Sequence, residues 1–409
     1  MGHCPEWIDK ILFEKSLRTY LKDDRIALNS FNIKAALAAG ENFTSDMYRA
    51  SVDYTTGDGV REKMMLIVKL VPDQGLKTDF ANDMLIFEKE MRMYRDMLPE
   101  LNKKLGDIRA LSAQCLFAET KTHSVIILED LSLLGFGMAN RQIGLDMKHS
   151  LMAMEYLAKL HAASALLYKE KPETMDFYDF GLFNDQHGKA FVETFISKGF
   201  KGLIMAAEQW PGFEKYVEKL KKIQPKFVKH GIALTKKDPN GFNVLCHGDT
   251  WINNMLFKYA EDKVTPVKMK FVDFQMSIFT SPVIDLHYFI FTSPAEEVRI
   301  NHMEKLLQHY HSSLVKTIVQ LGSSPDELRV PTYDQLVAEF HKRGFYGVVA
   351  SAVIMPIIRA PPRDDASLDG IFSDDVDQGF VDFMYNNSAY RATMSNLLPY
   401  FDKKGYLDI

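Results

Sequence analysis

The sequence is poor in cysteine. Cys4, Cys115 and Cys246 are odd in number, far apart and without metal-site spacing. That excludes a disulfide framework and fits a reducing compartment. The first residues, Met1-Gly2-His3-Cys4-Pro5-Glu6, lack the basic start and apolar run of a secretory signal. With Glu at position 6 they also lack the hydroxyl residue of a myristoylation motif. Long apolar runs are missing too. The most apolar late stretch, Gly347 to Ile358, is too short to span a bilayer and is interrupted by Pro356, as expected of a buried helix. Nor is there a concentrated basic face: the formal net charge is -5 with both signs interspersed, which argues against nucleic acid as a partner. The expectation is a cytoplasmic protein with no membrane span, no nucleic acid and no obligate protein partner.

The 409 residues exceed what one compact core accommodates and suit two lobes. Hydrophobic residues at 46% and charged residues at 25% are those of an ordinary globular chain. No internal repeat or low-complexity linker divides it. The first half reads as strands around one helix. Met47 to Tyr54 is a candidate strand, Gly57-Asp58-Gly59 a turn, and Met64 to Val71 a buried strand that is apolar except for Lys69. A helix is expected over Asp79 to Leu98, because Phe80, Met84, Phe87, Met91, Tyr94 and Leu98 share one face, with Pro99 marking its end. Ser124 to Leu128 reads as another strand. The second half is mainly helical, with an apolar stripe of Leu151, Met154, Ala158, His161 and Ala165. Short strands interrupt it at Val244 to Cys246, Met255 to Phe257 and Lys270 to Phe274.

Those interruptions carry the chemistry. His247-Gly248-Asp249-Thr250-Trp251-Ile252-Asn253-Asn254 lies between two apolar strands, and Val272-Asp273-Phe274-Gln275 ends a third. Phosphoryl transfer asks a protein for a positioned acceptor, metal ions across the phosphates and charge stabilisation. In the protein-kinase template a loop Asp faces the acceptor hydroxyl, an Asn five residues on binds metal, and a later Asp at a strand end binds the other metal. Asp249, Asn254 and Asp273 fit that spacing. His247 reads as a residue that orients the loop. Lys69, inside an apolar strand, demands a carboxylate partner unless its head reaches water. Periodicity leaves Glu88 and Glu90 equally open. His161, on an apolar helix face, reads as a satisfied core histidine.

The segment from His247 to Trp251 with Asn254 resembles the catalytic motif of the aminoglycoside- and choline-kinase-like superfamily. Within it, the chain looks like the ecdysteroid-kinase-like (CHK kinase-like) family of insects. Supporting stretches are Gly40 to Ser45, Phe87 to Glu90 with Tyr94, Leu157 to His161, and Ser281 to Asp285. The resemblance runs from about Trp7 to the C-terminal helices. It implies an α+β, two-lobed protein-kinase-like fold, with a small β-rich lobe over residues 1–130 and a large helical lobe over 131–409. It further implies ATP as co-substrate, Mg2+, and a small-molecule alcohol as acceptor. Lys69 would contact the ATP phosphates and pair with Glu90. Gly40 to Ser45 would lie over the phosphates, with Asn42 or Ser45 donating from its side chain. Glu129-Asp130-Leu131 would form the hinge whose backbone reads adenine, and Asp285 would brace the catalytic loop.

Other readings stand beside this one. In a two-metal phosphoesterase His247 and Asp249 would be ligands, but the Asp285-Leu286-His287 pattern comes last instead of first. A protein kinase would carry His-Arg-Asp and Asp-Phe-Gly where this chain has His-Gly-Asp and Asp-Phe-Gln. An inactive kinase-fold binding protein would have no use for the full set of Lys69, Asp249, Asn254 and Asp273. For the acceptor, the family and the aromatic helical lobe point to an apolar alcohol such as an ecdysteroid. The acidic run of Asp364, Asp365, Asp369, Asp374, Asp375 and Asp377 allows a cation of the choline or aminoglycoside type, though it reads first as a solvated loop.

Overall fold

Alternation of apolar and polar residues builds the N-terminal sheet. In β2 (Asp46–Thr55), Tyr48, Ala50, Val52 and Tyr54 are buried on one face. Leu66, Val68 and Leu70 of β3 (Arg61–Leu70) join them against Phe13 and Leu17 of helix α1 (Lys10–Leu21). The structure is a computed structural model and describes residues 4–36, 45–71, 82–107, 109–120, 123–361 and 380–409. With β1 (Ala27–Ala35), β4 (Cys115–Glu119) and β5 (Val125–Glu129), the strands form one antiparallel sheet in the order β1-β2-β3-β5-β4. The other face of β3 and β5 carries Ile67, Lys69, Ile126 and Leu128, and turns toward the helical part of the molecule.

Across that face runs a helix that breaks at Met84 and Leu85 after a helical Asn82 and Asp83 and does not stop at Pro99, while the expected start at Asp79 lies outside the described residues. Leu85 takes a left-handed backbone (φ 50°), and helix α2 begins after it, covering Ile86–Arg92. Pro99 does not end the helix. A π turn over Met93–Met97 leads into α3 (Leu98–Lys104), with Pro99 in its first turn. The Leu98 amide reaches back to Met93 O, so the wider turn absorbs the residue whose ring would clash in a regular helix.

The helical part is built around α4 (Met147–Glu170), which packs on the helix Met303–Gln320. Small sheets are set into it. β6 (Phe136–Met138), β8 (Met255–Tyr259) and β9 (Pro266–Phe271) pair in the order β6-β8-β9, and β7 (Val244–Cys246) pairs with β10 (Ile278–Thr280). Helix α5 (Val283–Thr292) follows β10 and is buried along its whole length. The apolar Gly347 to Ile358 stretch is helical, as Phe345–Val353 and Met355–Arg359 with Pro356 at the second start. The chain is thus a β-rich lobe followed by a larger helical one, the kinase-like arrangement. No helix among the described residues is long and apolar enough to cross a membrane.

Candidate active site

The segment from His247 to Asn254 links β7 to β8, and both ends are fixed by strand pairing. Gly248 has φ 80°, and a Cβ there would meet Met276 O at 2.0 Å, so only glycine makes this turn. Asp285, fully buried on α5, holds the turn. Its Oδ1 accepts from the Gly248 amide at 2.8 Å, and its Oδ2 from the His247 amide at 2.7 Å and His161 Nε2 at 3.1 Å. His161 Nδ1 meets Tyr310 Oη at 2.8 Å, so this histidine is satisfied within the core. Cys246 lies with His161 and Asp285, their ligand atoms within 4.8 Å of one another. Those atoms already serve hydrogen bonds, with the Cys246 thiol donating to Ser281 O.

His247 is buried, its Nε2 donating to Val272 O at 3.0 Å while Nδ1 accepts from the Asp249 amide at 3.3 Å. Burial pushes the imidazole's pKa down, so the ring is neutral and acts as a strut between the Asp249–Asn254 loop and the stretch at Val272 and Asp273. Val272 N donates to Asn254 O at 3.0 Å and closes the same link from the other side.

The half-buried Asp249 carboxylate is gripped at both oxygens. Asn254 Nδ2 donates at 2.9 Å to Oδ2 and at 2.9 Å to the Asp249 carbonyl. The Tyr288 hydroxyl, from α5, donates to Oδ1. Burial pushes the Asp249 carboxyl up to about 7; the Tyr288 and Asn254 donors pull it back, while Asp273 and Asp285 add to the rise.

Asp273 follows β9 with a left-handed backbone (φ 65°), a strained conformation for a non-glycine residue. This takes the chain out of the strand, so the ladder ends at Phe271 instead of running to Phe274. Asp273 Oδ1 lies 2.7 Å from Lys69 Nζ, and Glu90 Oε2 approaches the same ammonium at 2.7 Å. Burial alone would discharge Lys69; the Asp273 and Glu90 carboxylates outweigh it and hold the pKa above its usual value. Glu88 is elsewhere, paired with Arg92 at 2.6 Å, so the carboxylate at Lys69 is that of Glu90.

Lys69 from β3, Glu90 from α2, Asp273 from the loop after β9, and the Asp249–Asn254 loop are thus brought to one place through shared contacts. The remaining candidates are placed less directly. Ser45 is buried just ahead of Met47, the cross-strand partner of Lys69. Asn42 and the acidic run from Asp364 to Asp377 lie outside the described residues. Glu129 ends β5, and its side chain accepts from Arg109 Nε at 3.0 Å and the Gln114 amide at 2.9 Å. The amides of Glu129 and Asp130 donate to Gln114 O and Met65 O, and the Leu131 carbonyl accepts from the Gly135 amide. Arg49 of β2 reaches Asp130 at 2.6 Å. Tyr288 and Arg49 escaped sequence reasoning. A signal existed for Tyr288, three residues after Asp285 and so on the same helix face.

The sequence profile of the ecdysteroid kinase-like family matches residues 39–323. Comparison with curated proteins finds no match. Among solved structures, the amicoumacin kinase hAmiN in complex with AMP-PNP, Ca2+ and Ami is 11% identical, with a TM-score of 0.36 over 94% of this chain and 95% of that one. A thermostable mutant of aminoglycoside phosphotransferase APH(4)-Ia in its apo form is 12% identical, with a TM-score of 0.28 over 85% of this chain and 98% of that one.

Proposed function

The chain belongs to the ecdysteroid kinase-like family, and from that premise we propose that it transfers the terminal phosphoryl group of ATP to a hydroxyl of an apolar small molecule, an ecdysteroid or similar alcohol. The observation that carries this reading is the convergence of Lys69, Glu90 and Asp273 beside the Asp249–Asn254 loop. Lys69 is the cation for the phosphates, kept charged and aimed by Glu90. Asn254 Oδ1 and the Asp273 carboxylate are hard oxygen donors that fit magnesium, which keeps several waters and needs few protein ligands. Such an ion supplies charge to offset that of the phosphates.

Asp249 accepts the acceptor's hydroxyl proton as the acceptor oxygen bonds to the γ-phosphorus. The bond from that phosphorus to the bridging oxygen breaks, and ADP leaves with its electron pair. A carboxyl whose pKa lies near neutrality is well matched to this task. His247 and Asp285 hold the loop, and neither moves a proton.

The deciding experiment incubates the purified chain with magnesium and ATP against an ecdysteroid panel and a choline and aminoglycoside panel, at low and high salt. ADP release and the phosphorylated product are both measured. Turnover with ecdysteroids, insensitive to salt, is expected. Turnover confined to the cationic panel, weakened by salt and lost on neutralising Asp364 to Asp377, would replace the apolar acceptor with a cation. Turnover with neither panel, together with no ATP binding, would reject the kinase reading.

A further inference from the structure

Helix α5 grips successive residues of the catalytic loop from outside it. Asp285 takes the His247 and Gly248 amides, and its carbonyl accepts from Thr250 Oγ1 at 3.0 Å. Ser293, just past the helix end, donates to Thr250 O at 3.1 Å. Between them Tyr288 reaches the one side chain in this run that faces the chemistry, donating to Asp249 Oδ1. A carboxylate turns easily about its last torsion, which has broad minima. Asn254 alone does not fix that rotation relative to the rest of the site. It holds Oδ2 and the backbone carbonyl of Asp249 from the end of the same loop and leaves Oδ1 to another donor. Tyr288 sits on a fully packed helix, is itself 3% exposed, and is an external reference point.

We propose that Tyr288 is a positioning residue for phosphoryl transfer: its hydroxyl sets the rotation of the Asp249 carboxylate, so that the acceptor hydroxyl meets one orientation of the base. The proposal rests on the reading of Asp249 as proton acceptor. Thr292 supports the arm from behind, its Oγ1 donating to the Tyr288 carbonyl at 2.6 Å.

Tyr288→Phe keeps the ring and removes the hydroxyl. Loss of alignment by a fraction of an ångström to one ångström costs on the order of 10- to 100-fold in rate. The variant is therefore expected to lose that much kcat with the KM for ATP and the melting temperature unchanged. Against the residual turnover of Asp249→Asn the same change is expected to cost nothing further, because its effect passes through that carboxylate. A site-specific 3-fluorotyrosine at 288 keeps the hydroxyl and is expected to retain wild-type kcat. Its fluorine resonance is expected to move when Asp249 becomes Asn, a readout that needs no turnover. Wild-type kcat in Tyr288→Phe, an equal loss in the Asp249→Asn background, or a fluorine resonance blind to Asp249→Asn would overturn the proposal. The two readings fail differently. Should Asp249→Asn itself keep full turnover, the proton-acceptor reading falls and takes this proposal with it. Should Asp249→Asn lose its turnover while Tyr288→Phe keeps wild-type kcat, this proposal falls alone.

Discussion

Two buried lysines on neighbouring elements show how one residue type is answered in different ways. Lys69 meets two carboxylates and stays charged. Lys89, 1% exposed on α2, meets the Phe180 carbonyl and lies 3.6 Å over the Phe180 ring. Burial pushes its pKa from 10.5 down to about 7, with Asp179 opposing. Below about pH 7 both the folded and unfolded chains carry this proton, and the fold bears the full cost of a buried charge. Between pH 7 and 10.5 the unfolded chain binds more protons than the folded one, so stability rises with pH across that window. Relative to Lys89→Met, the wild type is therefore expected to gain on the order of 2 kcal/mol between pH 6 and pH 9. Denaturant melts of both proteins at each pH measure it, and a flat difference would show that Lys89 keeps an ordinary pKa. Asp249 makes the complementary case at the same scale. Asp249→Asn keeps the size and removes the charge, so turnover is expected to fall roughly 100-fold or more. ATP affinity, measured by calorimetry, is expected to survive, since Lys69 and Glu90 are untouched. Near-normal turnover would remove Asp249 from the chemistry.

At the scale of elements, the brace matters as much as the loop it holds. Asp285 is fully buried and answers three donors, so Asp285→Asn turns an amide NH2 toward groups that need an acceptor. A loss of about 2–4 kcal/mol is expected, together with lost turnover. That separates Asp285 from Asp249, whose substitution is expected to cost activity without stability. An Asp285→Asn chain that melts like wild type would contradict the brace. Much of this layout was legible in sequence, because Lys69 sits inside an apolar strand while the Asp249–Asn254 spacing and Asp273 are bounded by short apolar strands. What the sequence hid has physical causes. Helix α1 buries only Phe13, Ser16 and Leu17, too narrow a stripe to stand out among its charges. Strand β1 is an edge strand with most residues exposed, so its alternation is blurred. Pro99 read as a stop because a π turn leaves no composition signal. Periodicity could not choose between Glu88 and Glu90; the choice depends on how α2 lies against β3, a tertiary fact that showed in sequence only through family resemblance.

At the scale of the whole molecule, Lys69 is a junction. Its ammonium joins β3 to α2 through Glu90 and to the helical lobe through Asp273. Near the same place the Phe271 amide donates to Leu111 O at 2.8 Å, tying the end of β9 to the stretch before β4. A nucleotide held by Lys69 on one lobe and by Asp273 and Asn254 on the other would bind only the folded arrangement of both. Ligands that bind only the folded state stabilise it by about 2.7 kcal/mol at one hundred times their dissociation constant. Magnesium and ATP together are therefore expected to raise the melting temperature by a few degrees. The variants should sort by lobe. Lys69→Met is expected to abolish the rise with or without magnesium. Asp273→Ala removes a hard oxygen ligand but also frees Lys69 for the phosphates, so it is expected to abolish the magnesium-dependent part alone. Asn254→Ala should reduce that part less, since a neutral amide oxygen binds a divalent ion more weakly than a carboxylate. Differential scanning fluorimetry with ATP, with magnesium and with both resolves these contributions. An unchanged magnesium-dependent rise in both Asp273→Ala and Asn254→Ala would mean that the metal, if any, is held elsewhere.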